Sequence, residues 1–221
     1  MSRIVTGTSE ADINFKVILI GDQRTGKSNL FERLEEYGEW NCTITPTIGV
    51  TFLKRAIKIS NKSINLQLWD ISGSSRFHLV RSACYRKAYA VCVVYDITNK
   101  KSFLRVEDWL SNFREFDEFG AQIVLVGNKC DLEDERQVSY EEAREFAEKK
   151  NYKFVEVSAK ALENVNYLAR LIAIDLAAKY LESEKEPQRE ISKFEKKPKK
   201  DDDVIKLKGE NEGKKKSVCT T

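Results

Sequence analysis

Lys27 and Ser28 close the run Gly21-Asp22-Gln23-Arg24-Thr25-Gly26-Lys27-Ser28, which sets a cation and a hydroxyl behind two glycines. Such a loop folds successive backbone N–H groups into a concavity, and the helix start behind it adds a positive dipole end. The ligand this chemistry selects is a phosphate. Lys27 then reaches the outer phosphates of a nucleotide, and Ser28 offers its hydroxyl to Mg²⁺. Gly21, Gln23, Arg24, Thr25, Gly26 and Asn29 complete the candidate phosphate site. The pattern counts because of what flanks it. Phe15-Lys16-Val17-Ile18-Leu19-Ile20 is a short, β-branched, apolar strand, and Leu30, Phe31 and Leu34 follow at helical spacing.

Three further loops carry suitable groups. Asn128-Lys129-Cys130-Asp131 follows the apolar run Ile123–Val126, so it lies at a strand's carboxyl end, where α/β folds bind ligands. A carboxylate at Asp131 accepts two hydrogen bonds from the donor edge of guanine. Adenine would leave it unpaired, at a cost of about 1–3 kcal/mol. Ser158-Ala159-Lys160, just after Phe154–Val157, is placed to close over the same base. Asp70-Ile71-Ser72-Gly73 ends another strand: Asp70 can organise Mg²⁺ through water, and the Gly73 amide can donate to a γ-phosphate. The sequence therefore predicts GTP or GDP with Mg²⁺ as ligands.

Strand-like runs recur at Val17–Ile20, Val50–Ile59, Ile64–Trp69, Ala90–Tyr95, Ile123–Val126 and Phe154–Val157. Helical patterns separate most of them: Trp109, Phe113 and Phe116 mark one helix, Ala143, Phe146 and Ala147 another, and Val165, Leu168, Ile172 and Leu176 the last. This alternation predicts an α/β fold of the P-loop NTPase type, a mostly parallel six-stranded sheet with helices on both faces. Ser60-Asn61-Lys62-Ser63 reads as a hairpin joint that adds one antiparallel edge strand. Residues 1–13 are polar and read as a flexible N-terminus, 14–181 as the nucleotide-binding domain. Beyond about Glu182, lysine alternates with acidic residues, and 182–221 reads as a disordered tail, the alternative being a charged extension of the last helix as far as Pro187.

The 221 residues suffice for one domain and an appendage, and a net charge of +3 does not argue for nucleic acid as a partner. Five cysteines without a CxxC pair read as reduced thiols, and a single histidine, His78, argues against a zinc site. The segment Met1 to Asn14 has no signal-peptide pattern, and the apolar run around Ala88 to Tyr95 is too short to cross a bilayer. A cytoplasmic protein, peripheral at most on a membrane, is expected.

With these loops in this order, the chain resembles the small Ras-like GTPases and, among them, the Rab family, from about residue 14 to 180. The resemblance is carried by Ile48-Gly49-Val50-Thr51-Phe52, Leu66-Gln67-Leu68-Trp69-Asp70, Cys84-Tyr85-Arg86-Lys87-Ala88 and Val94-Tyr95-Asp96-Ile97-Thr98-Asn99, extended by Ser102-Phe103 and Trp109-Leu110. It implies a monomeric membrane-traffic switch served by an exchange factor, a GTPase-activating protein and effectors. It further implies a switch I from roughly Trp40 to Val50, in which Thr47 gives its hydroxyl to Mg²⁺ and its amide to the γ-phosphate. Trp40 stands there either against the guanine or as an apolar anchor of the loop. Switch II would run from about Gly73 to Tyr85, and loss of the γ-phosphate would relax both segments.

Departures from that pattern bear on turnover. Ser74-Ser75 replaces Gln-Glu, and the glutamine normally positions the attacking water, so Ser74 implies slow intrinsic hydrolysis alongside Thr47 and Lys27. Gln23 and Arg24 replace a small residue and glycine. Their bulk obstructs an incoming arginine finger or turns outward, unless Arg24 itself lends charge. A nucleotide-gated binding module locked with GTP is the rival reading, and an ATP-dependent phosphotransferase a second, which Asp131 disfavours. Cys84 stands where many Rab proteins carry an aromatic of the effector surface, beside Phe52 and Trp69. Finally, Lys214-Lys215-Lys216-Ser217-Val218-Cys219-Thr220-Thr221 departs from the C-a-a-X pattern, yet the resemblance implies a geranylgeranyl group on Cys219, supported by the lysines on an anionic membrane.

Overall fold

The structure, a computed structural model, describes residues 13–35, 47, 49–60, 62–73 and 78–195, with 78–81 and 183–195 described as backbone alone. Six strands form one sheet: β1 Ile13–Ile20, β2 Val50–Ile59, β3 Lys62–Ile71, β4 Ala90–Asp96, β5 Gln122–Asn128 and β6 Lys153–Val157. Their order is β2-β3-β1-β4-β5-β6, parallel throughout except for the antiparallel β2–β3 pair. The expected architecture, edge strand included, is what the chain adopts.

The strands alternate between two cores because a pleated strand sends successive side chains to opposite faces. Val17 and Leu19 of β1, Cys92 and Val94 of β4, and Val124 and Val126 of β5 enter one apolar cluster with Leu30, Leu34, Leu168 and Ile172. Ile18 and Ile20, Val93 and Tyr95, and Leu125 enter the other with Trp109, Leu110, Phe113 and Ala143. Helices α1 (Lys27–Leu34) and α6 (Val165–Glu195) thus cover one face. Helices α2 (His78–Tyr85), α4 (Val106–Arg114) and α5 (Tyr140–Lys149) cover the other, while α3 (Lys100–Leu104) leads into α4 at Arg105.

Three details differ from the sequence reading. Ile59 pairs with Lys62, so the antiparallel ladder extends into the expected joint, and Ser60 takes a left-handed φ of 54°, as tight hairpin turns demand. Asn61 lies outside the described residues. Helix α2 occupies part of the expected switch II. In the stretch read as a tail from 182, α6 continues past Pro187, the limit weighed for a helical extension, to Glu195. Glu, Lys, Gln and Arg are good helix formers, and they offset a proline that removes its own N–H bond and crowds the carbonyl four residues back, at about 3 kcal/mol. The chain divides into units Met1–Glu182 and Ser183–Thr221. The expected flexible stretch 1–13 falls outside the described residues except for Ile13, which already begins β1.

Candidate functional site

Every candidate loop leaves the carboxyl end of a parallel strand. Gly21 follows β1, Ser72 follows β3, Lys129 follows β5 and Ser158 follows β6. Strand β1, between β3 and β4, marks the point where chain connections reverse direction, which is where a crevice opens in such sheets.

At the phosphate loop, glycine is required twice. Gly21 has φ 136°, and a Cβ there would meet the Val94 carbonyl oxygen at 2.2 Å. Gly26 has φ 83°, and its Cβ would meet Asn128 Nδ2 at 2.3 Å. Gly26 is the N-cap of α1 and supplies no side-chain cap, and the first helical bond is Leu30 N–H to Gly26 O at 2.9 Å. The N–H groups of Lys27, Ser28 and Asn29 precede that bond and remain for an anion. Asn29 itself is buried on α1.

Lys27 is 5% exposed, and its Nζ donates to the Asp22 carbonyl at 2.6 Å. Burial lowers its pKa to about 8, with Asp70 and Asp22 opposing the shift. Thr25 Oγ1 donates to the same carbonyl at 2.9 Å. Gln23 and Arg24 are exposed, and Arg24 takes φ 65°, a backbone region that suits glycine better than arginine.

The three candidate metal residues converge. Ser28 Oγ donates to Asp70 Oδ2 at 2.6 Å, Thr47 Oγ1 donates to the same oxygen at 3.1 Å, and the two hydroxyls lie 2.6 Å apart. Asp70 is 1% exposed, and its Oδ1 is buried without a hydrogen-bond partner among the described residues. An orphaned carboxylate oxygen beside two hydroxyls suits a hard, oxygen-seeking cation. Among the described residues no group of three or more His, Cys, Asp or Glu could hold a metal. The Ser72 N–H donates to Gly49 O at 3.1 Å and fastens the chain after Thr47 to the end of β3. Gly73 presses on the phosphate loop: a Cβ would meet Gln23 N at 2.8 Å and Gly21 O at 2.8 Å.

The base side is tied together by Asn128. This residue is 1% exposed; its Nδ2 donates to Thr25 O at 2.8 Å, and its Oδ1 accepts the Ala159 N–H at 3.2 Å. One buried amide therefore joins the phosphate loop to the loop after β6. Ser158 Oγ donates to Asp131 Oδ1 at 2.6 Å, while the Ala161 N–H donates to Ser158 Oγ at 2.8 Å. Asp131 and Lys160 are exposed at the crevice. Lys129 adopts φ 70° and pairs with Asp96 Oδ2 at 2.5 Å, its stem passing Gly26.

The sequence reading missed several residues that hold these loops. Arg33 Nε on α1 donates to Ala159 O at 3.1 Å. Asp96 receives Lys129, and Asp22 is gripped by Trp109 and Arg105. The only signals in sequence are an Arg at one helical turn from the phosphate loop and an Arg–Trp pair spaced i,i+4. Trp40, Ser74 and Cys219 lie outside the described residues.

A glycine-bracketed loop ahead of α1, a Ser28–Thr47–Asp70 hydroxyl–carboxylate cluster and the loops after β5 and β6, gathered at the carboxyl ends of the parallel strands, are the arrangement of the small GTPase class of P-loop folds. The model of the Ras family matches residues 16–177. The Ras-related protein Rab-8B of Homo sapiens is 40% identical over 168 residues, covering 76% of this chain and 81% of the relative. Ras-related protein Rab-8A of Bos taurus is 41% identical over 168 residues with the same shares, 76% and 81%. Ras-related protein SEC4 of Candida albicans (strain WO-1) is 40% identical over 182 residues, 82% of this chain and 86% of the relative. The chain belongs to the Ras family of small, GTP-binding GTPases and is Rab-like within it.

Proposed function

We propose that this chain is a slowly hydrolysing Rab-like switch that binds Mg²⁺ with GTP or GDP and directs membrane traffic through effectors chosen by the nucleotide state. The observation that supports this most is the convergence of Ser28 and Thr47 on Asp70 Oδ2, at 2.6 and 3.1 Å. Lys27 neutralises the outer phosphates, and the unspent N–H groups of α1 receive them. Asp131, oriented by Ser158, reads the guanine edge, and Ala159 and Lys160 flank it. Mg²⁺ supplies charge neutralisation for the phosphates when bound. Ser28, Thr47 and Asp70 would hold it.

Turnover is the departure. Gly73 is appressed to the phosphate loop, and the residue that follows it in sequence is Ser74, whose side chain is too short to orient an attacking water as glutamine does. Arg24, exposed beside the loop, adds bulk where a partner's arginine would enter. Exchange and activating factors, effectors and a geranylgeranyl group on Cys219 complete the reading. Among the described residues no helix is long and apolar enough to cross a membrane, which is compatible with a peripheral attachment.

Single-turnover GTP hydrolysis tests the kinetic part. The native chain is expected below the unaided scale of small Ras-like switches, about 10⁻⁴ s⁻¹, and Ser74→Gln should raise the rate. A native rate at that scale, unchanged in Ser74→Gln, overturns it. A native rate of zero with retained GTP favours the locked binding module. Mass spectrometry of the chain from its own cells tests Cys219: an unmodified thiol removes the lipid anchor.

A further inference from the structure

We propose that Asp22 is the positioning residue of the phosphate loop, clamped from outside by Trp109 and Arg105, and that this clamp sets how slowly nucleotide leaves. The proposal rests on the nucleotide-binding reading and adds to it a control point outside the phosphate-contacting groups.

Asp22 is joined in two directions. Its carboxylate accepts the Trp109 indole N–H at 2.7 Å (Oδ1) and Arg105 Nη1 at 3.2 Å. Its main-chain carbonyl accepts Lys27 Nζ at 2.6 Å and Thr25 Oγ1 at 2.9 Å. Wherever the side chain is pinned, the acceptor for Lys27 is pinned as well. Gly73 leans on the same residue, since a Cβ there would lie 2.9 Å from the Asp22 carbonyl carbon. The phosphate lysine, the loop and the end of β3 therefore all refer to one residue.

The clamp comes from local helix geometry. Arg105 is at once the C-cap of α3 and the N-cap of α4, with φ −86° and ψ 0°. The Trp109 N–H donates to Arg105 O at 3.2 Å, so the two residues stand one turn apart on one face. Trp109 is 5% exposed, and a buried indole N–H requires an acceptor. The one it finds is a carboxylate, which makes the bond charge-assisted and the stronger for it. Arg105 is more open, its side chain 58% exposed against 16% for Asp22, so it contributes steering charge rather than a rigid bond. A surface segment is thereby wired to the lysine that meets the phosphates.

Release of a fluorescent GDP analogue from the full chain in Mg²⁺ tests this. Native protein must first retain the analogue; failure to do so refutes the nucleotide reading, and the clamp falls with it. Given retention, Trp109→Phe keeps the ring packing but removes the donor, and release should quicken about 5- to 10-fold. Asp22→Ala should release at least as fast, since it also frees Arg105, and the double variant should be no faster than Asp22→Ala, because Trp109 then has no acceptor left to lose. At the exposed position, Arg105→Ala should release about 2- to 3-fold faster and Arg105→Lys should restore the native rate. A side chain that merely stabilised the fold would give multiplying effects in the double variant and no lysine rescue. Unchanged release in Trp109→Phe and Asp22→Ala, or multiplying effects in the double variant, overturns the clamp.

Discussion

At the base end of the crevice the protein is spent on itself. Asn128 gives both its amide atoms to Thr25 and Ala159, Lys129 pairs with Asp96, and Arg33 holds the Ala159 carbonyl. At the phosphate end the arrangement is looser. Ser28, Thr47 and Asp70 meet through hydroxyl–carboxylate contacts, and Asp70 Oδ1 is left buried without a partner among the described residues. The first region is a frame cross-linked by the protein's own hydrogen bonds and ion pair. The second leaves a buried carboxylate oxygen of Asp70 unsatisfied among the described residues, which on the proposed reading a cation completes. A switch needs this division: a fixed grip on the part of the ligand that never changes, and a grip on the changing part that can be lost.

The comparison breaks most severely at Asn128. Asn128→Ala leaves a buried carbonyl and a buried N–H unpaired, so urea unfolding should lose about 2–4 kcal/mol. GDP affinity should fall together with it, because the same amide joins both loops. Loss of affinity with full stability would mean that Asn128 serves the ligand rather than the frame. Asp131→Asn should change selectivity with little change in stability, since Asp131 is exposed. Its carboxamide presents a donor where guanine also donates, so competition assays should move preference toward xanthine nucleotides, by about 1–3 kcal/mol. Retained guanine preference would remove Asp131 from the base site.

At the phosphate end, Ser28→Asn should weaken Mg²⁺·GTP relative to GDP, by about 1–2 kcal/mol, while the fold stays intact. An unchanged GTP-to-GDP affinity ratio would separate Ser28 from the metal. The smallest expected effect is on pH. Lys27 in the ligand-free protein titrates at about 8 because burial disfavours its ammonium, and phosphates bound beside it favour that ammonium again. Binding above pH 8 must then take up a proton, and GDP affinity should decline as pH rises from 8 to 9. Calorimetry in buffers of different ionisation enthalpy reads that proton directly. For folding the sign is opposite: the unfolded lysine keeps its proton up to its ordinary value of 10.5, so the cost of burying the cation is present below pH 8 and fades above it.

Much of this was legible in sequence because the relevant groups sit next to strand ends. Six apolar runs match six strands, and the loops after β1, β3, β5 and β6 follow them directly, whereas Thr47 lies ahead of β2 and follows a helix. Glycine at 21 and 26 could be read as a phosphate turn, though that Gly26 also makes room for Asn128 could not. The missed features share one property: they depend on distance between segments far apart in the chain. Asp22 and Trp109 are separated by 87 positions, and nothing in the spacing of either reveals that one accepts from the other. Trp109 reads from its period as core, which it also is. Helix α2 has no acidic residue in its first turn and spans only eight residues, so no start signal marked it. Beyond Glu182 the charge pattern read as a solvated coil, whereas the same Lys and Glu residues carry helix propensity as far as Glu195.

On the proposed reading, one crevice grips guanine at its cross-linked end and phosphates with a metal at its open end. Calorimetric titration of nucleotide-free protein with GDP and with ADP, each with and without Mg²⁺, examines both ends at once. Tight binding of GDP, strengthened by Mg²⁺, with no heat from ADP is the expected result. Equal heats from GDP and ADP, or GDP binding indifferent to Mg²⁺, would contradict it.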